Sequence, residues 1–400
     1  MRVSTSLRFD TAIDSLQRRQ RDLSEVQASM TNGKRINKTS DDPTGAARAE
    51  RAYLAQQRIG SDQRSVDASR NAMSLGEATL GQAMDMLQAA RETVVSAGNA
   101  TYSPSERNAQ VQQLRNFRTQ LLALANQGDG AGGYVFGGQT AGTVPFLDTV
   151  GGVTLAPTAA AGQMQASTRE LMPTTLDGQA VWLSARSGNG VFVTGPDSGN
   201  TGKAWISAGS VADPTAITGA NYEVSFSVSG GVTTFSVLQD GAPTALSDVG
   251  YTSGSSISID GMAFTLTGQP DDGDSFAVAP SAPELSAFAA LDRAITALSD
   301  PNASGSQVAQ AVSTGLRDLD AVIGQFQSVR AQAGTDLNRL DSLDSRNQDR
   351  MLWAKTVQAD VEDVDMVQAI SDYKQQESGY QAALQSYAIV QRMSLLDFLK

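Results

Sequence analysis

Every seventh residue from Val66 to Val94 is apolar: Val66, Met73, Leu80, Leu87 and Val94, with Ala83, Ala90 and Ala97 at intermediate positions. A repeat of this kind requires a long helix lying along another helix, because it keeps one stripe turned toward one partner. With Asp42 as N-cap and Pro43 at its first position, this helix is expected to run from about Pro43 to Ala97. At 1.5 Å per residue it would be a rod on the order of 80 Å long. Its partners must come from elsewhere in the chain.

The same periodicity occupies both ends. Phe9, Ile13, Leu16, Leu23 and Met30 are spaced 4, 3, 7 and 7, with Arg18, Arg19 and Arg21 off the seam. Ser103 and Pro104 read as the N-cap and first position of a further helix reaching about Asn126 through Val111, Leu114, Phe117 and Leu121. From "PELSAFAALDRAITAL" onward the pattern returns, with Val308, Val312, Leu319, Val322, Phe326 and Val329 on one seam. Gly315 sits where a further apolar residue would fall. Met366, Ile370, Tyr373, Tyr380, Leu384 and Tyr387 follow at spacings of 4, 3, 7, 4 and 3, interrupted by Glu377 and Gln391. Neither terminal seam can stay wet, so the two ends are expected to pair in an antiparallel bundle.

Between the helical regions the composition shifts to Gly, Ser, Thr and Val in short alternating runs. Tyr222, Val224, Phe226 and Val228 share one strand face, Phe235 and Val237 share one on the return, and Ser229-Gly230-Gly231 supplies the turn. Asp260-Gly261 turns a second hairpin between Ile257/Ile259 and Met262/Phe264/Leu266. The expected fold is α+β: a long antiparallel helical bundle or coiled coil formed by both chain ends, with an inserted β-rich module. Its divisions are an N-terminal coiled-coil helix and corner loop (1–42), two halves of a helical rod (43–130 and 283–358), the β-rich module (131–282) and a C-terminal coiled-coil helix (359–400).

Composition narrows the function. The chain has no cysteine and no histidine, which removes disulfides, thiol nucleophiles, the usual general base and the commonest zinc ligands. We expect no enzyme activity and no cofactor. A formal net charge of −12 disfavours nucleic acid as a partner. "MRVSTSLRFD" lacks a signal-length apolar core, and no run of eighteen apolar residues occurs, so neither ordinary signal-dependent export nor membrane insertion is expected. With hydrophobic residues at 40% but aromatics at only 6%, packing is expected through Ala, Leu and Val along helices rather than one large aromatic core. The ends differ in balance: residues 1–60 hold eleven basic and seven acidic side chains, residues 360–400 three and seven. Opposite balances favour pairing of the ends, within one subunit or between neighbours; ordinary solvated charge on exposed faces accounts for the same counts.

"TNGKRINKTSDDPTG" (31–45) separates the first two helices. Gly33 can end one helix in the left-handed conformation, and Asp42 and Pro43 can start the next, with Asp41 and Asp42 at the positive end of its dipole. Ile36, the one apolar residue of the loop, is expected to plug into the bundle, and Arg35 to bond an aspartate or a helix-end carbonyl. The glycines lack phosphate-loop spacing, and two aspartates sit beside them. The loop reads as a corner.

"MTNGKRINKTSDDPTGAARAE" also resembles the N-terminal signature of bacterial flagellins and their relatives, at Gly33, Arg35, Ile36, Asn37, Asp41, Asp42, Pro43 and Gly45. "GGYVFGGQTAGTVPF" (132–146) and the closing "AALQSYAIVQRMSLLDFLK" are similar to the hook-filament junction members of that family, and "IDGMAFTLTGQPDDGDSFAVAP" (259–280) resembles a β segment shared by hook-associated proteins. The resemblance implies a structural protein of the flagellum that joins hook to filament. It implies export without a cleaved signal and an extracellular place in the flagellum, with the terminal helices forming a coiled core and inserted modules facing outward. The implied partners are further copies of the chain in a ring, a neighbouring hook-associated protein, flagellin and a cytoplasmic export chaperone. For assembly the candidate seam is Phe9, Ile13, Leu16, Leu23, Tyr380, Leu384 and Tyr387. For a chaperone groove the candidates are Tyr380, Leu384, Tyr387, Leu395, Leu396 and Phe398.

Other readings compete. Asp271, Asp272 and Asp274 suggest a calcium loop but lack spaced ligands ending in a bidentate Glu. Trp182, Trp205 and Trp353 suit carbohydrate stacking or, more commonly, packing. A carboxylate hydrolase would need paired acids in a pocket. Flagellin itself is the near alternative; a surface adhesin and a needle-type secretion protein are remote ones.

Overall fold

The structure, a computed structural model, describes residues 2–138, 142–156, 163–167 and 170–398, with side chains described for 10–138, 142–156 and 170–389. Seven helices occur among them: α1 (Arg2–Asn32), α2 (Pro43–Ala97), α3 (Pro104–Ala125), α4 (Gly178–Trp182), α5 (Ala287–Ser299), α6 (Gly305–Glu362) and α7 (Met366–Phe398). Fourteen strands lie between α3 and α5. The fold is the α+β arrangement expected, helical at both ends and β-rich in the middle. The chain forms two compact units, one of Met1–Arg64 with Leu343–Lys400 and one of Ser65–Ser342.

In the second unit the α2 seam does what its spacing requires. Val66, Met73, Leu80, Leu87 and Val94 are fully buried, as are Ala83, Ala90 and Ala97. Burial of each larger side chain contributes on the order of 2 kcal/mol. The partner is α6, which buries Leu319, Val322, Phe326 and Leu340 and runs antiparallel. Three ion pairs mark the register: Arg70 to Asp341 at 2.7 Å, Arg330 to Glu77 at 2.5 Å and Arg91 to Asp320 at 2.6 Å. A Cβ at Gly315 would lie 3.3 Å from both Ala294 and Val94. The gap in the α6 seam is therefore where α2 and α5 come close. α3 begins with a capping box, Ser103 receiving the Glu106 amide and Glu106 receiving that of Ser103. Buried Arg107 donates to the carbonyls of Leu298 at 3.3 Å and Asp300 at 3.2 Å, closing the C-terminus of α5.

The β region opens with two separate antiparallel hairpins, β1 (Phe146–Thr149) with β2 (Gly152–Leu155), and β3 (Gln163–Ser167) with β4 (Glu170–Pro173). After α4 come β5 (Phe192–Pro196), β6 (Trp205–Ile206), β7 (Ser210–Val211), β8 (Tyr222–Ser229), β9 (Val232–Gln239), β10 (Ala242–Pro243), β11 (Val249–Gly250), β12 (Ser256–Ile259), β13 (Met262–Thr267) and β14 (Ser275–Pro280). One sheet runs β10-β9-β8-β14-β5 with β11 on β9, and a smaller one runs β12-β13-β6 with β7 on β13. Gly230 and Gly231, at φ of 60° and 81°, make the turn of the β8–β9 hairpin. Asp260 and Gly261, at 44° and 77°, turn β12 into β13. The inward residues Tyr222, Val224, Phe226, Phe235, Ile257, Phe264, Leu266 and Phe276 form one apolar core between the sheets.

The aspartates at 271–274 bind this module together. Asp274 is 3% exposed and accepts the amides of Thr201 and Asp271 at 2.9 Å each, while Asp272 accepts that of Val228 at 2.8 Å. Their oxygens serve as turn acceptors, which accounts for the acidic run without a cation.

Two features depart from expectation. Five aromatic rings scattered through the sequence gather in one buried cluster: Trp182 stacks on Phe288 at 5.6 Å and meets Phe136 and Phe326 edge-on, with Phe146 alongside. Leu, Val and Ala do line the helices, yet this cluster is the largest apolar knot at the border of helices and strands. The second departure is Trp353, which is 68% exposed and packs into nothing described.

α6 grips the β module through polar groups. The amide of Ile206 donates to Gln310 at 2.8 Å, Arg317 donates to the carbonyl of Thr194, and Gln325 donates to that of Ala180 at 2.7 Å. Arg317 is buried and also donates to Asp318 at 3.0 Å, and the other Asp318 oxygen meets Arg293 at 3.0 Å. Replacing Arg317 with Ala should destabilise this unit by about 3 kcal/mol, because it leaves the buried Asp318 carboxylate with Arg293 alone and the Thr194 carbonyl without this donor. Arg91→Ala, on the exposed Asp320 pair, should cost less than about 1 kcal/mol. Urea unfolding of the two variants compares them directly; similar midpoints would refute the assignment.

Candidate assembly site

The first unit contains every residue of the corner and the terminal seams. Asn32 ends α1, and Gly33 follows in the left-handed conformation at φ 68°. Asp42 caps α2, accepting the Gly45 amide and the Thr44 hydroxyl at 2.9 Å each. The Gly45 amide, with help from Thr44 and Arg35, holds the Asp42 carboxyl below its usual range. Asp41 has a separate task. It accepts the amides of Asn37 at 3.1 Å and Lys38 at 2.8 Å, folding the loop back on itself rather than facing the helix start. Asn37 in turn donates to Ser29 at 3.1 Å. Gly45 is required by packing: a Cβ there would lie 2.4 Å from Asp42 and 2.7 Å from Ile36, which rests half-buried over it. Pro43 opens α2.

The corner also has a second strand of chain, which the sequence reading did not find. α6 ends at Glu362, and Asp365 caps α7 by accepting the amides of Val367 at 2.9 Å and Gln368 at 3.2 Å. Lys34 and Asp363 form an antiparallel bridge. The Arg35 amide donates to Glu362 at 2.6 Å and the Val364 amide to Gly33 at 3.0 Å. Lys34 reaches the Glu362 carboxylate at 2.8 Å, and the Arg35 guanidinium donates to both the Val361 carbonyl at 3.0 Å and Asp42 at 3.3 Å. Arg35 therefore bonds an aspartate and a helix-end carbonyl together. The Lys34 ammonium holds the Glu362 carboxyl below its ordinary value, and Glu362 raises Lys34 in return. The clue in the sequence was Asp365 directly before Met366, a cap signal hidden in the acidic run Glu362-Asp363-Val364-Asp365.

From this corner α1 and α7 run antiparallel. Ile13, Leu16 and Leu23 on α1 and Tyr380 and Tyr387 on α7 are half-buried along the shared face. Leu384 is 42% exposed, on the flank with Met366 and Ile370. The side chains of Phe9, Leu395, Leu396 and Phe398 lie outside the described residues, although their backbones are helical. Among the described residues no α1 side chain is fully buried, and α7 buries only Ala369. A seam that is closed in α2 is left half open here. An open cleft of about 1210 Å³ lies between α1, the corner and the start of α7, lined by Arg21, Arg35 and Lys38 against Glu25, Asp41 and Asp372. The cleft thus carries both signs of charge beside the half-open seam.

Comparison with known proteins agrees with this architecture. Residues 3–141 match the bacterial flagellin N-terminal helical region, and residues 196–280 match the D2-like domain of flagellar hook-associated protein 1. Over that N-terminal region the chain resembles the bacterial flagellin family. Flagellar hook-associated protein 3 of Salmonella typhimurium is 26% identical over 401 residues, covering 99% of each chain. The crystal structure of the flagellar junction protein FlgL from Legionella pneumophila superposes with a TM-score of 0.67 at 27% identity, covering 79% of this chain and 100% of its own. That of Xanthomonas campestris FlgL gives 0.68 at 26%, covering 78% and 99%. Within the family, then, the resemblance is to hook-associated protein 3, the FlgL junction type.

The corner should respond to acid. Asp42 and Glu362 have lowered folded values, so the stability they contribute is complete above their ordinary values of 3.8 and 4.5 and is lost as pH falls through the lower ones. Hydrogen-exchange protection at the Arg35 and Val364 amides, corrected for intrinsic rates, should hold constant from pH 7 to about 5 and weaken toward about pH 3. Glu362→Gln should abolish much of that dependence; an unchanged profile would show that the pair does not hold the corner.

Proposed function

We propose that this chain is a structural protein of the bacterial flagellum that forms the junction between hook and filament. The observation that carries the reading is the full-length match to hook-associated protein 3, joined to an N-terminal flagellin region. The flagellin alternative is less favoured by the same matches. As a hook-associated protein it works among hook and filament components. No helix among the described residues is long and apolar enough to cross a membrane.

Finer assignments follow from the terminal helices. The half-open seam of α1 and α7 is completed by neighbouring subunits: further copies in a ring, a second hook-associated protein and flagellin. The candidates Tyr380, Leu384, Tyr387, Leu395, Leu396 and Phe398 are offered to an export chaperone before assembly, and the chain leaves the cell without a cleaved signal to reside in the extracellular flagellum. Residues 1–42 and 359–400 are the assembly segments, 43–130 and 283–358 the rod, and 131–282 the inserted outer module. The role is non-enzymatic, with no cofactor.

Deleting the gene in the source bacterium tests the main reading. Hooks without filaments, with flagellin shed into the medium, are the expected result. Bare hooks without shed flagellin would make this chain the filament subunit, and normal flagella would overturn the assignment. Leu384→Asp, at an exposed position, should leave the β module folded by circular dichroism while blocking incorporation. Normal incorporation would remove α7 as an assembly surface.

A further inference from the structure

Apolar seams of small and medium side chains are poor at choosing among registers, because a shift of seven residues along a heptad restores much the same contacts. The α1–α7 pair is especially exposed to this fault. Its side chains are only half-buried, and its α7 stripe is broken by Glu377. Something other than the seam must fix which residue of α1 faces which residue of α7.

We infer that the register is set by a polar latch at the corner and by a notch two heptads away. The latch is the pair of backbone hydrogen bonds from Arg35 to Glu362 and from Val364 to Gly33, reinforced by Lys34 on Glu362 and by Arg35 on the Val361 carbonyl. These bonds are residue-specific, so a slipped pairing breaks all of them. The notch is Gly379. A Cβ there would lie 2.5 Å from an Arg19 nitrogen, so the guanidinium occupies the space a side chain would fill. Gly33 faces Val364, and Arg19 faces Gly379. The two contacts lie 14 residues apart on the strand of chain that carries α1 and 15 apart on the one that carries α7, consistent with one antiparallel register. A one-heptad slip would set Arg19 against Ser386, whose side chain would take the space that Gly379 leaves, or against Asp372, where an ion pair could form but every bond of the latch would be lost.

The register decides which α7 residues stand on the exposed flank and at what height. A shift of seven residues displaces Met366, Ile370 and Leu384 by about 10 Å along the helix. The latch thus fixes the surface that the pair shows to any partner. This inference concerns the chain's own helices, and the soluble protein tests it whether or not the proposed assembly role stands.

The absence of cysteine makes the test direct. Leu23→Cys with Gln376→Cys is the in-register pair; Leu23→Cys with Ala369→Cys or with Ala383→Cys reports slips of one heptad either way. A disulfide needs Cα atoms within about 7 Å, which a displacement of about 10 Å exceeds. In the otherwise unaltered chain, oxidation should close the in-register pair and leave both slipped pairs at least tenfold less cross-linked. In a background of Arg35→Pro and Val364→Pro, which remove both backbone donors of the latch, with Gly379→Leu, a slipped pair should rise to within about twofold of the in-register pair. Exclusive closure of the in-register pair in that background would overturn the inference, because the seam alone would then specify register. Loss of all three cross-links would overturn it too, since the corner would be holding the helices together rather than choosing their alignment. Gly379→Leu by itself, with the latch intact, should give an intermediate fraction and guards against a collapse caused by the triple change.

Discussion

The whole molecule depends on the burial of heptad stripes between antiparallel helices, and the two units satisfy that constraint to different degrees. In Ser65–Ser342 the stripe of α2 is closed from Val66 to Ala97, with α6 opposite and α3 and α5 bracing the end near Gly315. In the unit made of the two chain ends, the stripe of α1 has one partner, α7, and remains half-wet. Two helices alone cannot cover each other: each apolar face spans more than the arc that one neighbour occupies. The open arc is a property of the pairing, and a subunit that assembles through its ends has reason to keep it.

Polar contacts do a different job from the seams. Along α6, Gln310, Arg317 and Gln325 recur at intervals of seven and eight and meet backbone groups at Ile206, Thr194 and Ala180. Their spacing places them on one face of the helix, distinct from the Leu319–Phe326 stripe. Apolar burial there supplies attraction without direction, whereas a side chain bonded to one particular strand carbonyl fixes a position. The corner repeats the arrangement at the other unit, with Lys34, Arg35 and Glu362 placed where two interhelical turns cross.

Much of this was legible in the sequence. The limits of α2 followed from Asp42-Pro43 and the seven-residue repeat, those of α3 from Ser103-Pro104, and the hairpins at Gly230-Gly231 and Asp260-Gly261 from their turn residues. These are local signals, and local physics decides them. The corner was legible on its own strand for the same reason: Gly33, Asp42 and Pro43 act within a few residues of themselves. What escaped was non-local. Phe136, Phe146, Trp182, Phe288 and Phe326 are separated by up to 190 residues, and no periodicity links them. The hairpins β1–β2 and β3–β4 have weak alternation, with Leu147 and Leu171 left exposed at 51% and 60%. Leu384 has the spacing of a seam residue yet stands on the exposed flank with Met366 and Ile370, because how much of α7 is covered depends on α1, which no spacing in α7 reveals.

Lys34 shows the same division at the scale of one residue. Read in sequence, it is a cation beside an arginine in a loop, consistent with solvent, an aspartate or a phosphate. Its partner Glu362 lies 328 positions away and closes a contact of 2.8 Å. The opposite charge balances of the two ends admitted this pairing and also admitted ordinary solvation. The geometry separates the two: some of the excess charge sits in specific bonds across the corner, while Lys38 and Arg21 line the open cleft beside it. Charge at the chain ends therefore sits in two settings, in specific bonds across the corner and, with both signs present, along the open cleft.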